Sequence, residues 1–107
     1  MNNATYRITA TGTSNPMPTQ GGITTVGLRG TFGGTSAKLQ WCEKPSGIDA
    51  DWFDALDSSD SVLTFTTQKQ KQVTVGVGYF RLVLTGGTGI ALELVVAGTL
   101  GEAAQPG

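Results

Sequence analysis

Residues 23–41, with the sequence ITTVGLRGTFGGTSAKLQW, contain the clearest structural pattern in the chain. On either side of the pair Gly33-Gly34, apolar and polar positions alternate with a period of two. The face with most of the apolar residues comprises Val26, Leu28, Gly30 and Phe32 before the turn, and Ala37, Leu39 and Trp41 after it. This alternation is typical of strands that bury one side, and adjacent glycines favour a tight turn. The pattern therefore predicts a β-hairpin over residues 26–41.

The same alternation extends over most of the chain. It predicts further strands over residues 6–10, 62–67, 73–75, 79–84 and 90–96. The densest group of turn-forming residues, 12–22, is predicted to be a loop that crosses between sheets. Residues 52–56 fit either a short strand or a single turn. We therefore expect an all-β fold, a single antiparallel β-sandwich of immunoglobulin-like or jelly-roll type with about seven to eight short strands.

The length and the charge of the chain limit the number of its domains and the classes of partner that it can bind. Its 107 residues fit one domain, residues 1–107, with a predicted N-terminal arm at residues 1–5 and a flexible C-terminal tail at residues 98–107. Seven basic and eight acidic residues leave a net charge of −1, which argues against direct binding of nucleic acid. No apolar stretch approaches the ~18 residues that a membrane helix needs, and the first residues lack the pattern of a secretory signal.

Histidine is absent and Cys42 is the single cysteine, which limits the chemistry further. Ser-His-Asp triads, Cys-His pairs and histidine metal ligands are excluded, and so is an intrachain disulfide. We therefore expect no catalytic residues, no cofactor and no metal, in a protein that is not an enzyme. Free cysteine behaves as a small hydrophobe, so we expect a loop or a partner chain to cover the Cys42 thiol.

Three segments carry a family pattern: residues 28–41 (LRGTFGGTSAKLQW), 51–56 (DWFDAL) and 73–89 (VTVGVGYFRLVLTGGTG). They resemble a family of small virion proteins of tailed bacteriophages, in which a GTFGG or GTWGG hairpin precedes an LQ strand, a Trp, a YRL strand and a G-T-G turn. The resemblance covers roughly residues 25–97 at usual strand lengths. It implies a capsid decoration, or cement, protein. Such a protein binds the major capsid protein or another virion protein, forms a homo-oligomer, and resides in the virion after synthesis in the bacterial cytoplasm.

Trp52 and Phe53 are the first candidates for contact with a partner. Neighbouring residues in a strand point to opposite faces, so one ring is expected to face outward, where it can anchor a protein contact or stack on a sugar. Burial of both rings by the folded loop is the alternative. Stacking on sugars would correspond to a rival function, a carbohydrate-binding module of a phage tail fibre or tail tip.

Arg29 is a further candidate for partner binding, because the small residues beside it leave it uncovered. Asn2 and Asn3 belong to the polar N-terminal arm, which can order on contact with another protein. Arg81, by contrast, is expected to pack against its apolar neighbours and to pair with Glu93 across the intervening Gly-rich turn.

Five aspartates lie between residues 49 and 60, namely Asp49, Asp51, Asp54, Asp57 and Asp60. Caps of solvated turns are the ordinary role of such residues, and a Ca²⁺ site is the alternative. The spacing does not fit an EF-hand, because Phe53 and Asp54 occupy the fifth and sixth positions counted from Asp49.

We predict that the domain folds without a metal ion, because this spacing fails and histidine is absent. Thermal melting in EDTA and in excess Ca²⁺ should give the same Tm within error. A rise of several degrees in Ca²⁺ would contradict the prediction and would assign the cation to the aspartates, since a ligand that binds the native state raises its Tm.

Overall fold

The computed structural model describes residues 3–57 and 59–98. Within them lie ten strands and one turn of 3-10 helix at Asp49–Asp51: β1 (Asn3–Ile8), β2 (Gly12–Thr13), β3 (Met17–Thr19), β4 (Gly22–Thr31), β5 (Ser36–Cys42), β6 (Phe53–Asp54), β7 (Thr64–Phe65), β8 (Lys69–Val75), β9 (Gly78–Thr85) and β10 (Ala91–Gly98). The strands β2, β6 and β7 have two residues each. In these same residues, no helix has the length and hydropathy required to cross a membrane.

The strands form two sheets. Sheet A has the order β1-β10-β4-β8 and sheet B the order β2-β9-β5-β6, while β3 also pairs with β9 and β7 with β5. The strand pairs are antiparallel. The two sheets pack face to face, so the predicted all-β antiparallel sandwich is confirmed.

Most side chains in the core between the sheets are those that alternation assigned to the inner faces, and Met17 joins them from the predicted loop 12–22. Leu39 and Leu82 are opposite each other in the register of β5 and β9, and both are fully buried. Other core residues are Val26, Leu28, Ala37, Phe65, Phe80, Leu84, Leu92, Leu94 and Val96. The inner face was predictable because burial on one side of a strand requires a period of two.

The predicted hairpin over residues 26–41 is wrong. Strand β4 belongs to sheet A and β5 to sheet B, so the turn at Gly33 and Gly34 carries the chain from one sheet to the other. The hydrogen-bonded partner of β5 is instead β9. Alternation shows which side of a strand is buried. It does not show whether the next strand pairs with it in the same sheet or packs against it from the opposite sheet, because both arrangements give the same pattern.

At each end of the sandwich, the backbones of two crossovers between the sheets come into close contact. The Gly33 carbonyl accepts a hydrogen bond of 3.0 Å from the backbone N–H of Thr88, in the β9–β10 crossover. A Cβ atom at Gly33 would lie 1.8 Å from the Thr88 carbonyl oxygen. At the other end, a Cβ at Gly21 would lie 2.7 Å from the backbone of Gly76 and Val77. Both contacts therefore require glycine.

Other predicted boundaries change in the structure. The predicted loop 12–22 does cross between the sheets, but it also contains β2 and β3. Strand β8 begins at Lys69, inside the predicted connection 68–72. The N-terminal arm is wrong for residues 3–5, which form part of β1 and pair with β10. Of the predicted tail, Gly98 pairs with Thr24, while residues 99–107, like residues 1–2, lie outside the described residues.

We predict that Leu39→Ala and Leu82→Ala each lower the free energy of unfolding by ~2–5 kcal/mol, because each leaves a cavity in the fully buried core. Urea melts measure the change. Losses below about 1 kcal/mol would contradict the core assignment and the β5–β9 register.

We predict a larger loss for Gly33→Ala than for Gly86→Ala. Both glycines have positive φ, 60° and 75°, so an alanine at either position carries the conformational strain of about 1–2 kcal/mol. Only at Gly33 does the new methyl group also collide with the opposite crossover, whereas nothing lies within 4 Å of a Cβ at Gly86. Equal urea midpoints for the two variants would show that the crossovers separate without loss of stability.

Candidate binding site at the open edge of the sandwich

The structure separates the two adjacent rings that the sequence singled out. Trp52 is buried, with 7% of its surface exposed. Phe53 begins β6, pairs with Trp41 of β5, and is 62% exposed. The exposed ring is therefore Phe53, and Trp52 is too buried to contact a partner.

Trp52 packs on the outer face of sheet B, against a buried arginine. The guanidinium carbon of Arg81 lies 4.5 Å from the centroid of the Trp52 ring, which is cation–π geometry. Arg81 donates from Nε to Oε1 of Gln40 at 2.8 Å and from Nη1 to Oδ1 of Asp49 at 3.1 Å. Only 6% of Arg81 is exposed.

The loop of residues 43–54 is fixed by a second set of hydrogen bonds around Ser46. The Ser46 hydroxyl donates to Oδ2 of Asp51 at 2.6 Å and accepts the backbone N–H of Ile48 at 3.0 Å. The Ser46 carbonyl accepts the indole N–H of Trp52 at 3.0 Å. These hydrogen bonds hold the loop together, and the contacts of Asp49 and Trp52 with Arg81 attach it to sheet B, so the two sets together fix the position of Phe53.

The predicted pair of Arg81 with Glu93 is wrong. Strands β9 and β10 belong to different sheets, so the Gly-rich turn between them does not bring these side chains together. Glu93 instead pairs with Arg29, which donates from Nε to Oε1 at 3.0 Å. Arg29 lies on the outer face of sheet A, with 57% of its side chain exposed, and does not line the groove described next.

Asn2 and Asn3 are the remaining residues that the sequence predicted to contact a partner. Asn2 lies outside the described residues, and Asn3 is the first residue of β1, opposite Ala97 of β10.

Phe53 lies at the rim of a groove between the edge strand of sheet A and the edge of sheet B. This open-edge groove has a volume of about 510 Å³, within the range of typical ligand pockets. Its apolar lining consists of Ile23, Trp41, Phe53, Ala55, Leu56, Val73 and Val75. Ile23, Phe53 and Leu56 are 44%, 62% and 46% exposed. The ring centroids of Trp41 and Phe53 lie 6.2 Å apart, and the Trp41 indole N–H donates to the Gly76 carbonyl at 3.1 Å.

Three carboxylates, Asp54, Asp57 and Asp60, also line the groove. The hydrogen bond from the Gln40 amide lowers the pKa of Asp54, with a smaller contribution from Lys38. Backbone N–H donors of Ser61 and Ser59 lower the pKa of Asp57. Because these pKa values fall on folding, the stabilisation is present above the ordinary value of 3.8 and is lost as the pH falls through the lower folded values. At neutral pH this side of the groove is negative.

The clustered aspartates serve separate local partners. Asp57 accepts backbone N–H groups at 2.8 and 3.1 Å, the turn-capping role that the sequence predicted. Asp49 binds Arg81, Asp51 binds Ser46, and Asp54 accepts from Gln40 at 2.9 Å. Across residues 3–57 and 59–98, no group of three potential metal ligands lies close enough to hold an ion.

The Cys42 thiol is fully buried, as the sequence predicted. It lies opposite Tyr79 in the β5–β9 register, and its Sγ donates to Oε1 of Glu43 at 3.3 Å. The backbone N–H of Glu43 and, to a smaller extent, this contact lower the pKa of the Glu43 carboxyl.

Sequence reasoning missed Gln40, Ser46 and Asp49 as partners of the loop. Gln40 is opposite Arg81 only because β5 pairs with β9, and the predicted hairpin had assigned β5 to another neighbour. No local signal marks the covered outer face, because polar residues such as Gln40 and Arg81 at outward positions are the ordinary pattern of a strand whose outer face is exposed.

We predict that Arg81→Lys lowers the free energy of unfolding by about 2–3 kcal/mol, because lysine cannot reproduce both charged hydrogen bonds and the ring contact. Arg29→Lys is the matched control. Its ion pair is exposed, so the expected change is below about 0.5 kcal/mol.

Urea melts compare the two variants. In a Trp41→Phe background, the emission of Trp52 should shift to longer wavelength in Arg81→Lys and not in Arg29→Lys. Equal stabilities with unchanged emission would contradict the anchoring role of Arg81.

Comparison of the chain with protein-family models, with curated proteins and with solved structures found no match. The likeness to phage virion proteins is a resemblance of three sequence segments, and it stays a prediction. The site is therefore interpreted from its own geometry.

Proposed function

We propose that this protein is a non-enzymatic structural component of a tailed-bacteriophage particle. Its role in this proposal is that of a capsid decoration, or cement, protein that binds the major capsid protein and stabilises the head. The open-edge groove is the observation that carries the proposal, because contiguous exposed apolar surface with a polar rim marks sites of protein association. The resemblance of residues 28–41, 51–56 and 73–89 to virion proteins supplies the context.

The groove has the composition of the centre of a protein interface. An exposed aromatic ring, Phe53, lines it together with the aliphatic side chains Ile23 and Leu56, and three carboxylates and the Gln72 amide line it as well. Apolar anchors within a polar rim dominate the binding energy of many complexes. A stable interface buries ~800 Å² per partner, so the surfaces around the groove would also be covered.

Stabilisation of the shell follows from mass action. A protein that binds the assembled capsid and not its separated subunits raises the stability of the assembly by its binding free energy. Many copies, present as a homo-oligomer, would each bridge neighbouring capsid subunits.

A second candidate is a carbohydrate-binding module of a tail fibre or tail tip. The observation that favours it is the exposed Phe53 ring with Asp54, Asp57 and Gln72 nearby, because sugars bind to an aromatic face flanked by hydrogen-bonding groups. Trp52 plays no part in this candidate, since it is buried beneath the loop.

The test compares Phe53→Ser with Val77→Ser. Val77 is 75% exposed and does not line the groove, so it controls for removal of an exposed apolar side chain. Mass spectrometry of purified virions should detect the wild-type protein and Val77→Ser, and Phe53→Ser should bind stripped particles at least about tenfold more weakly. Particles that lack the protein should release DNA at a lower temperature, and adding back wild type should restore stability.

Two results would contradict the decoration proposal. Unchanged shell stability together with Phe53-dependent binding on a sugar array would favour the carbohydrate-binding module. Absence of the protein from virions would contradict both candidates.

A further inference from the structure

We infer that the open-edge groove binds an extended segment of a partner protein, which adds as a strand alongside residues 72–75 of β8 and places apolar side chains in the groove and a Lys or Arg beside its carboxylates. This inference rests on the proposed function and names the kind of surface that the partner contributes. It is argued from the edge of β8, from the lining of the groove and from its charge.

The edge of β8 is protected over only half of its length. In the described residues β8 pairs with β4 alone, so its other side is an edge. Lys69 and Lys71 are opposite the inward-facing Leu28 and Val26, and the Lys69 ammonium lies 5.7 Å from the centroid of the Phe65 ring. Inward-directed lysines are a known means by which proteins prevent strand addition at an edge.

The other half of β8 carries no charge. Residues 72–75 read Gln-Val-Thr-Val, and all four line the open-edge groove. The unprotected half of the edge therefore coincides with the apolar groove. A four-residue strand spans ~13 Å, and a segment of that length can use the backbone groups that β8 directs away from β4.

The apolar lining fits the inner side chains of such a segment. Val73 and Val75 lie on the inward side of β8, and Phe53 and Leu56 line the groove on the side of sheet B. Because successive side chains of a strand point to opposite faces, every second residue of an added strand would enter the groove. Peptide recognition by strand addition obtains its specificity from such alternate pockets.

The charge of the groove selects among occupants. Asp54, Asp57 and Asp60 line it, and Lys38 offsets part of this charge through Asp54 at 3.4 Å. A second copy docked about a twofold axis through the groove would bring the same carboxylates together, and like charges oppose such an arrangement. A neutral sugar has no backbone to pair with the edge. An apolar segment that carries Lys or Arg satisfies both features.

The test uses purified protein and an array of octapeptides. Alternate positions are Val, Ile, Leu or Phe, the remaining positions are Thr or Ser, and one position is Lys, Arg, Glu or Ser. The matched controls are peptides of the same composition without alternation. We expect binding only to alternating peptides, with a preference of about fivefold for Lys or Arg over Glu, as one exposed ion pair provides.

Two pairs of variants locate the binding. Val75→Lys extends the inward lysines into the groove and should reduce binding at least about tenfold. Val95→Lys is the matched control and should not reduce binding, because it adds the same charge on the outer face of sheet A, away from the groove. Asp60→Asn should remove the preference for basic peptides, and Glu93→Gln, away from the groove, should retain it. Asn is compatible with the φ of 61° at position 60. If Val75→Lys does not fold, Leu56→Lys replaces it.

Equal binding of alternating and non-alternating peptides, or unchanged binding by Val75→Lys, would overturn the inference. So would sugar binding that depends on Phe53, or a dimer in sedimentation experiments that Val75→Lys abolishes. Presence of the protein in virions is measured separately, so a failed peptide test with the protein present refutes the groove inference alone. Peptide binding without presence in virions refutes the proposed function alone.

Discussion

The close contact between paired crossovers is the constraint on which the rest of the molecule depends. In the described residues the chain passes from one sheet to the other six times: between β1 and β2, β3 and β4, β4 and β5, β7 and β8, β8 and β9, and β9 and β10. At each end the backbones of two of these passages come into close contact, at Gly33 with Thr88 and at Gly21 with Gly76. Glycine lets the passages approach closely, and their approach holds the inner faces of the two sheets together over the core.

The same architecture leaves one edge open, and the candidate site lies there. Sheet A ends at β8, and sheet B ends at the short strand β6 and the segment that follows it. The groove between these edges is bordered by a loop that Arg81 attaches to the outer face of sheet B through Asp49, and that hydrogen bonds of Ser46 hold together. A buried arginine that holds a loop is a structural element, and its effect on binding is indirect, because it places Phe53 at the rim.

The sequence was sufficient to predict the inner face of each major strand and insufficient to predict its neighbours. Leu39 and Leu82 belong to the core because alternation requires it, and no knowledge of pairing is needed. The pairing of β5 with β9 depends on contacts between distant parts of the chain, so the Arg81–Gln40 hydrogen bond and the Arg29–Glu93 pair could not be predicted. Alternation likewise predicted that Trp52 and Phe53 would face opposite ways, but only the loop structure shows which one is exposed. The groove requires the relative position of β6 and β8, which no local pattern contains.

The position of β10 in sheet A has a consequence for synthesis. This strand lies between β1 and β4 and is hydrogen-bonded to both, with Leu92 opposite Ile8 on one side and Gly30 on the other. Chains leave the ribosome from the N-terminus at ~5–20 residues per second, so β1 emerges long before the strand that it pairs with. Until residues 91–98 have emerged, no strand pairs with both β1 and β4, and their apolar faces are exposed to association with other nascent chains. Residues 91–98 are therefore the segment whose arrival permits sheet A to close, and a ribosome that stalls before them would expose an incomplete, aggregation-prone sheet.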